Sequence, residues 1–332
     1  MSTSTLNRTA RLLTFCLIVF LNIPNSECLA QSGIRWRSDT LSVCFVSDTQ
    51  EPMLVERVTL AYNGNAKARK AIFQKVLALK PNAVVHLGDE VSLGTDDLSW
   101  KDVDEFVKKL HDGGISFSPI PGNHEYLMSS RAGISRFTSR YPEVNLDGYA
   151  KRCGNVAVVL VNSNFTELTA KERERQLSWY KKTLADFESD PAIDFVIVGC
   201  HHPPFTNSKI VGVSKGIRDN FLPDFYKSEK CKLFLSGHCH AFEHFRMNGK
   251  DFLVIGGGGG IQQPLKTGEK AEYHDLFSTT LEKRMFHFLS VKSWDDTLSV
   301  NLMMLRDDFK TFDNLPQLIF VREKPPEGKS ME

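Results

Sequence analysis

Five short apolar runs recur along the chain, and each gives way to Gly, Pro or a polar residue. They occupy residues 41–46, 83–87, 115–120, 195–200 and 232–235 and are rich in Val, Ile, Leu and Phe. Runs bounded in this way predict strands buried on both faces of a sheet. Residues 156–161 form another such run, followed by Asn162-Ser163-Asn164. Between the runs the period changes. Residues 66–79, 99–110 and 169–187 carry apolar side chains at helical spacing. The first of these helices ends at Lys80-Pro81. The second starts with Ser99 as its cap and stops at Gly113-Gly114. In the third, Thr169 with Glu172 three positions on makes a capping box. Strand and helix alternate, which predicts an α/β fold. Beyond Gly260, residues 286–291 and 298–304 alternate apolar with polar, separated by Trp294-Asp295-Asp296-Thr297. That pattern predicts a hairpin closing the second sheet.

The residues at the end of each run are chemically selective. The stops read Asp48-Thr49-Gln50, Gly88-Asp89-Glu90, Gly122-Asn123-His124-Glu125, His201-His202 and Gly237-His238-Cys239-His240. In open α/β sheets ligands bind beyond the carboxyl ends of the strands, so segments far apart in sequence can converge there. Asp48 and Asp89 offer hard carboxylate oxygen. His201, His238 and His240 offer imidazole, which suits Zn, Fe, Mn or Co, and Asn123 can give a neutral carbonyl oxygen. Such a set can hold two divalent cations roughly 3.5–4 Å apart, where a bridging water is acidified and a phosphate ester is held. Singly, Asp48, Asp89 and Asn123 would be ordinary turn residues. Together, in register with three histidines, they are not. His86, His111, His274 and His287 have no motif around them and read as structural, and Glu243 and His244 as support or solvent-facing. The Gly256–Gly260 run lacks the strand–helix setting of a dinucleotide loop and reads as a close-packed turn.

In these blocks the chain resembles the calcineurin-like metallophosphoesterases, over about residues 41–260. Gly-Asn-His-Glu and Gly-His-x-His in this order are specific. His240-Ala241-Phe242-Glu243-His244 and the later glycine run look most like the purple-acid-phosphatase branch. The resemblance implies a four-layer αββα sandwich of two mixed sheets flanked by helices. It implies two divalent or mixed-valence metal ions (Fe, Mn, Zn or Mg) and hydrolysis of a phosphate ester by a metal-bridging hydroxide. Carried over residue by residue, Asp89 would bridge both metals, Asp48 and His240 would serve the first, and Asn123, His201 and His238 the second. His124 would not bind metal but would stand by the leaving group as charge stabiliser or general acid. His202 is divided between substrate contact and support. Two residues depart from the pattern. Gln50 stands where many members have His, and Ser92 stands where purple acid phosphatases have Tyr. The first site is therefore expected to be weaker, with Gln50 offering an amide oxygen, and biased toward Mn or Mg over Zn.

Composition adds a compartment. Arg8 and Arg11 precede the apolar residues 12–23, and a small-residue ending comes after them at Cys28-Leu29-Ala30. This is the layout of a secretory signal peptide over residues 1–30, and its apolar stretch of 12 residues is short for a transmembrane helix, which needs ~20. An uncleaved anchor is the alternative. Cleavage leaves a catalytic domain over residues 31–321, a loose tail over 322–332, and no stable membrane span. The expected location is secreted or periplasmic. The remaining chain has five cysteines. Cys44 and Cys200 read as buried hydrophobes and Cys239 as facing the core, while Cys153 with Cys231 is a possible pair. The 332 residues carry 41 basic and 40 acidic side chains, which excludes the basic footprint of a nucleic-acid polymer as partner. Three functions remain in order of preference: a phosphomonoesterase acting on a small phosphate ester, a phosphodiesterase on nucleotide or glycerophosphodiester substrates, and a non-catalytic binding protein on a degraded phosphoesterase fold.

Overall fold

The computed structural model describes residues 41–60, 63–277 and 285–322. All described residues belong to one compact unit, Ile34–Glu332. The signal peptide expected over residues 1–30, and all but Arg322 of the tail expected over 322–332, lie outside the described residues.

The apolar runs become strands with nearly the expected limits: β1 (Leu41–Val46), β2 (Ala83–His86), β3 (Ser116–Pro119), β5 (Val156–Val161), β6 (Phe195–Cys200) and β7 (Cys231–Ser236). The remaining strands are β4 (Tyr149–Cys153), β8 (Phe242–Met247), β9 (Lys250–Ile255), β10 (His287–Trp294), β11 (Thr297–Leu305) and β12 (Phe312–Val321). They form two mixed sheets of six strands, ordered β12-β11-β10-β1-β2-β3 and β4-β5-β6-β7-β9-β8. β1, β2 and β3 run parallel, as do β5, β6, β7 and β9.

Alternation within β5 explains the layering. Val156, Val158 and Leu160 belong to the central core, which also holds Val43, Phe45 and Val85 of the first sheet. Ala157, Val159 and Val161 point the other way, into a second core with Tyr180 and Leu184 of α5 (Ala170–Ser189). All six side chains are buried. Each aliphatic one stabilises by about 1.5–3 kcal/mol, so a one-residue slip of β5 would exchange two cores at once. On the outer face of the first sheet, α2 (Asn65–Leu79) and α3 (Asp97–Asp112) bury Ile72, Val76, Phe106 and Leu110. No helix among the described residues is long and apolar enough to cross a membrane.

Two expectations need correction, and the Cys153–Cys231 pairing that the sequence left open is resolved. The hairpin β10–β11 closes the first sheet, not the second: β10 pairs antiparallel with β1, and β11 with β12. α3 is capped by Asp96, whose carboxylate accepts from Leu98 N at 3.1 Å and from the Ser99 hydroxyl at 2.9 Å. Ser99 is a donor inside the first turn, because a carboxylate is the stronger acceptor for the free amides there. Cys153 and Cys231 are not paired, and all five described cysteines are free and buried. Burial pushes the Cys44 thiol up to about 12, so it behaves as an apolar side chain. The capping box at Thr169 and Glu172 is present as read.

Candidate metal centre

Every candidate ligand leaves the carboxyl end of a parallel strand, and the two sheets bring those ends together. Three of the ligands sit in left-handed backbone, Asp48 (φ 59°), Asp89 (φ 55°) and His238 (φ 67°). Asp and His tolerate this region better than most residues, but each instance still costs on the order of 1 kcal/mol. Main-chain hydrogen bonds hold them there. Asp48 N donates to Gly88 O at 3.0 Å, and His238 N donates to both Asp48 carboxylate oxygens at 3.0 Å. The glycine run fits as a close-packed turn. Gly258 N and Gly260 N donate to the carbonyls of Ser47 and Asp48. A side chain on Gly260 would meet the His240 ring at 2.6 Å.

Asp89 occupies the middle. Its Oδ2 lies 3.3 Å from His201 Nε2 and 3.8 Å from His124 Nε2, and its Oδ1 accepts from His124 N at 2.9 Å. Burial alone would raise its carboxyl, but His201 and then His124 overturn that and hold it well below the ordinary carboxylate range. Burial likewise opposes charge on His201, yet Asp89 lifts its imidazole to about 9. Beside the pair, His240 Nε2 is 3.3 Å from Asp48 Oδ1, and Asn123 Oδ1 is 3.1 Å from His201 Nε2. Asp48, Asp89 and His201 offer ligand atoms all within 4.8 Å of one another, and so do His201, His202 and His238.

The donor set fits divalent cations on a second ground, the tautomers. His201 Nδ1 meets Leu87 O at 2.8 Å, and His240 Nδ1 meets Ile261 O at 2.8 Å. A carbonyl only accepts, so each Nδ1 carries hydrogen and each Nε2 is aimed inward as a ligand atom. Gln50 completes the first position. With its amide nitrogen donating to the carbonyls of Asp89 (3.1 Å) and Asp48 (3.2 Å), its oxygen faces His240 Nε2 at 3.1 Å. The side chain thus turns an oxygen, not a nitrogen, to where an imidazole would otherwise reach.

His124 is oriented the same way, its Nδ1 meeting Ser92 O at 2.8 Å. His202 Nδ1 is held by the Ser163 hydroxyl at 2.8 Å, and its ring lies 4.5 Å from that of His238. Burial and then His201 lower His202 to about 3, so it is neutral. His86 is structural as expected, bonded to the Thr49 hydroxyl at 3.0 Å. Glu243 accepts from Thr206 Oγ1 and Asn207 N, and His244 meets Asp251, so both support the neighbouring loops.

Sequence reading missed what holds the loops. Glu125 accepts main-chain N–H groups from Asp89 (3.0 Å), Glu90 (2.8 Å), Val91 (3.4 Å) and Gly122 (2.7 Å). One buried carboxylate thereby ties the Asp89 loop to the Asn123 loop. Behind it, Glu90 accepts from the Tyr141 hydroxyl at 2.7 Å, and burial, with Glu125 next in weight, raises its carboxyl well above the usual range. The position of Glu125 inside Gly-Asn-His-Glu was the available signal. Its partners, being backbone amides, leave no trace in residue identity.

A sequence profile of the calcineurin-like phosphoesterases matches residues 41–242. The chain belongs to the calcineurin-like phosphoesterase family. No curated protein matches it in sequence. Among solved structures, it is similar to a purple acid phosphatase from yellow lupin seeds (17% identity, TM-score 0.59), covering 87% of this chain and 55% of that one. The chain thus spans about half the length of the lupin protein. It is also similar to GAP50, the anchor in the inner membrane complex of Plasmodium (17% identity, TM-score 0.60, covering 86% and 90%). A dimetal phosphatase from Danio rerio is similar at 16% identity and TM-score 0.54, covering 83% and 98%. At these identities the likeness is one of fold.

Proposed function

We propose that this calcineurin-like phosphoesterase is a metal-dependent phosphohydrolase, acting on a small phosphate monoester. The observation that carries the reading is the placement of Asp89. Its carboxylate lies between the Asp48/Gln50/His240 group and the Asn123/His201/His238 group, and it is kept ionised by its neighbours. When two cations are bound there, they acidify a water and neutralise the phosphoryl oxygens. Asp48, Gln50 and His240 would hold one, Asn123, His201 and His238 would hold the other, and Asp89 would serve both. His124 points its Nε2 into the same space and gives a proton, or a positive charge, to the departing oxygen. His202 contacts the substrate from the half-buried rim. A panel of monoesters and diesters, run with and without added Mn, Fe, Zn and Mg, tests this. Metal-dependent turnover led by a monoester is expected, whereas diester preference would replace this reading with a phosphodiesterase.

A non-catalytic role is the second reading, favoured by Gln50 and by the likeness in fold to GAP50, an anchor in the inner membrane complex of Plasmodium. Stoichiometric metal with no ester turnover would select it. The leader-like residues 1–30 support export, and we propose a secreted or periplasmic location.

Gln50 makes a separate expectation. Metal titration should show two unequal affinities, the weaker at Asp48/His240. Gln50→Ala should weaken that step about tenfold further, since loss of one ordinary charge-assisted contact is worth about 1.5 kcal/mol. Gln50→His should narrow the gap. Equal, tight binding at both positions, unchanged by Gln50→Ala, would refute it. Colour is another readout. Purple acid phosphatases owe theirs to a tyrosinate on ferric iron, and Ser92 holds that position here, with its hydroxyl 3.5 Å from that of Ser99. Tyr126 and Tyr141 are engaged by Asn162 and Glu90. The iron-reconstituted protein should therefore show no intense tyrosinate band in a visible spectrum.

A further inference from the structure

A cleft of about 590 Å³ opens beside the second metal position, where Asn123 and His202 line it. Its walls come from three loops, those of Tyr126, Phe165 and Val213. This volume suits a small organic ligand. Hydrolysis breaks the bond from phosphorus to the ester oxygen and forms one to a water oxygen, and the alcohol departs with one proton. With the phosphoryl group over the ligands, the alcohol portion lies in this cleft.

The charges lining it are one-sided. Among the described residues no Lys or Arg lines the cleft, although Arg131 and Lys215 adjoin lining residues in sequence. Arg173 is turned away, its guanidinium donating to Phe165 O at 2.7 Å. Among the described residues the one carboxylate at the wall is Glu167, exposed and accepting from the Ser130 hydroxyl at 2.5 Å. Hydrogen-bond donors are scarce as well. The Ser163 hydroxyl is spent on His202 and the Asn164 amide on Pro121 O. What remains are three neutral hydroxyls: Tyr126, which accepts from Asn162 at 2.9 Å, Ser214, which accepts from Ile217 N at 3.3 Å, each keeping its own hydrogen to donate, and Thr166. Leu127, Met128, Phe165 and Val213 supply apolar surface. A second phosphate or a carboxylate would enter this cleft facing a like charge, with neutral hydroxyls and no cationic side chain to meet its oxygens.

We propose that the cleft selects phosphomonoesters whose alcohol carries an aromatic or aliphatic body and no further anionic group, and that Glu167 favours a cationic amine on that alcohol. The proposal rests on the phosphomonoesterase reading above. It excludes nucleoside polyphosphates and multiply phosphorylated sugars as preferred substrates.

Three aryl phosphates test it, with the charge insulated from the ring by a methylene: 4-(aminomethyl)phenyl, 4-methylphenyl and 4-(carboxymethyl)phenyl phosphate. kcat/KM on the metal-loaded full chain should fall in that order, by about fivefold per step, as expected for one exposed charge contact. Glu167→Gln should collapse the ratio of the cationic to the neutral substrate, and Glu167→Lys should invert the order. Ratios within one variant cancel differences in folding or metal content. Equal kcat/KM for all three, or preference for the carboxylate, overturns the proposal and leaves phosphohydrolase activity standing. If none is turned over, the activity reading has failed. Calorimetry of the matching non-hydrolysable arylmethyl phosphonates then decides the cleft alone: the same order of affinity supports it, and equal affinity overturns it.

Discussion

Asp89→Asn is expected to abolish turnover and to leave the protein unable to hold two cations. The substitution removes one negative charge and little else. Asn tolerates the left-handed backbone at this position, and its side-chain oxygen can still accept from His124 N. Without the charge, His201 loses the partner that outweighs its burial, and two cations would repel across a neutral amide. Loss of about 4 kcal/mol of charge stabilisation corresponds to about 10³-fold in rate. Metal analysis of the purified variant should give at most one equivalent, with an unchanged circular dichroism spectrum showing intact folding. Two tightly bound equivalents in Asp89→Asn would remove Asp89 from the bridging position.

His124→Ala is expected to do the opposite to the metal and much the same to the rate. The ring is oriented by Ser92 O and is no part of either close ligand group, so both cations should stay. kcat should fall by about 10²–10⁴, the usual worth of a positioned acid, with a smaller change in KM. The size of the loss should depend on the leaving group. An alcohol with a high pKa needs the proton and should suffer most, while a nitrophenolate should suffer least. A uniform loss would make His124 a charge stabiliser, and loss of metal would make it a ligand.

The candidate centre was legible because its information is local. A strand stops, the next residues are carboxylates and imidazoles, and the strand end is where the sheet gathers them. Asp48, Asp89, Asn123, His201, His238 and His240 could all be read in this way. What escaped was carried by pairing and by main chain. Glu125 works through four backbone amides, which have no residue identity. β12 interrupts any strand pattern with Pro316 and several polar residues, yet β11 pairs with it along its length, across a register shift between Val300 and Asn301. The hairpin was recognised, but its sheet depended on a partner far earlier in the chain. Cys153 and Cys231 looked available for pairing because sequence separation says nothing of which core each enters. They lie in different cores, Cys153 with the first sheet and Cys231 with the outer helices.

The remote partner of β1 bears on the order in which the molecule is finished. The profile match ends at residue 242 and the last candidate ligand is His240, so a fragment trimmed there would carry every ligand. It would lack the turn whose Gly258 and Gly260 hold Ser47 and Asp48, and it would lack β10. β1 would be left as an open edge, ready to pair with another chain. On the ribosome the second sheet can begin to assemble as its strands emerge consecutively, β4 through β9. The first sheet must wait for His287 and beyond, and such distant pairings form slowly. Asp48 follows directly on the strand that waits, so the metal centre is among the last parts of the protein to be completed.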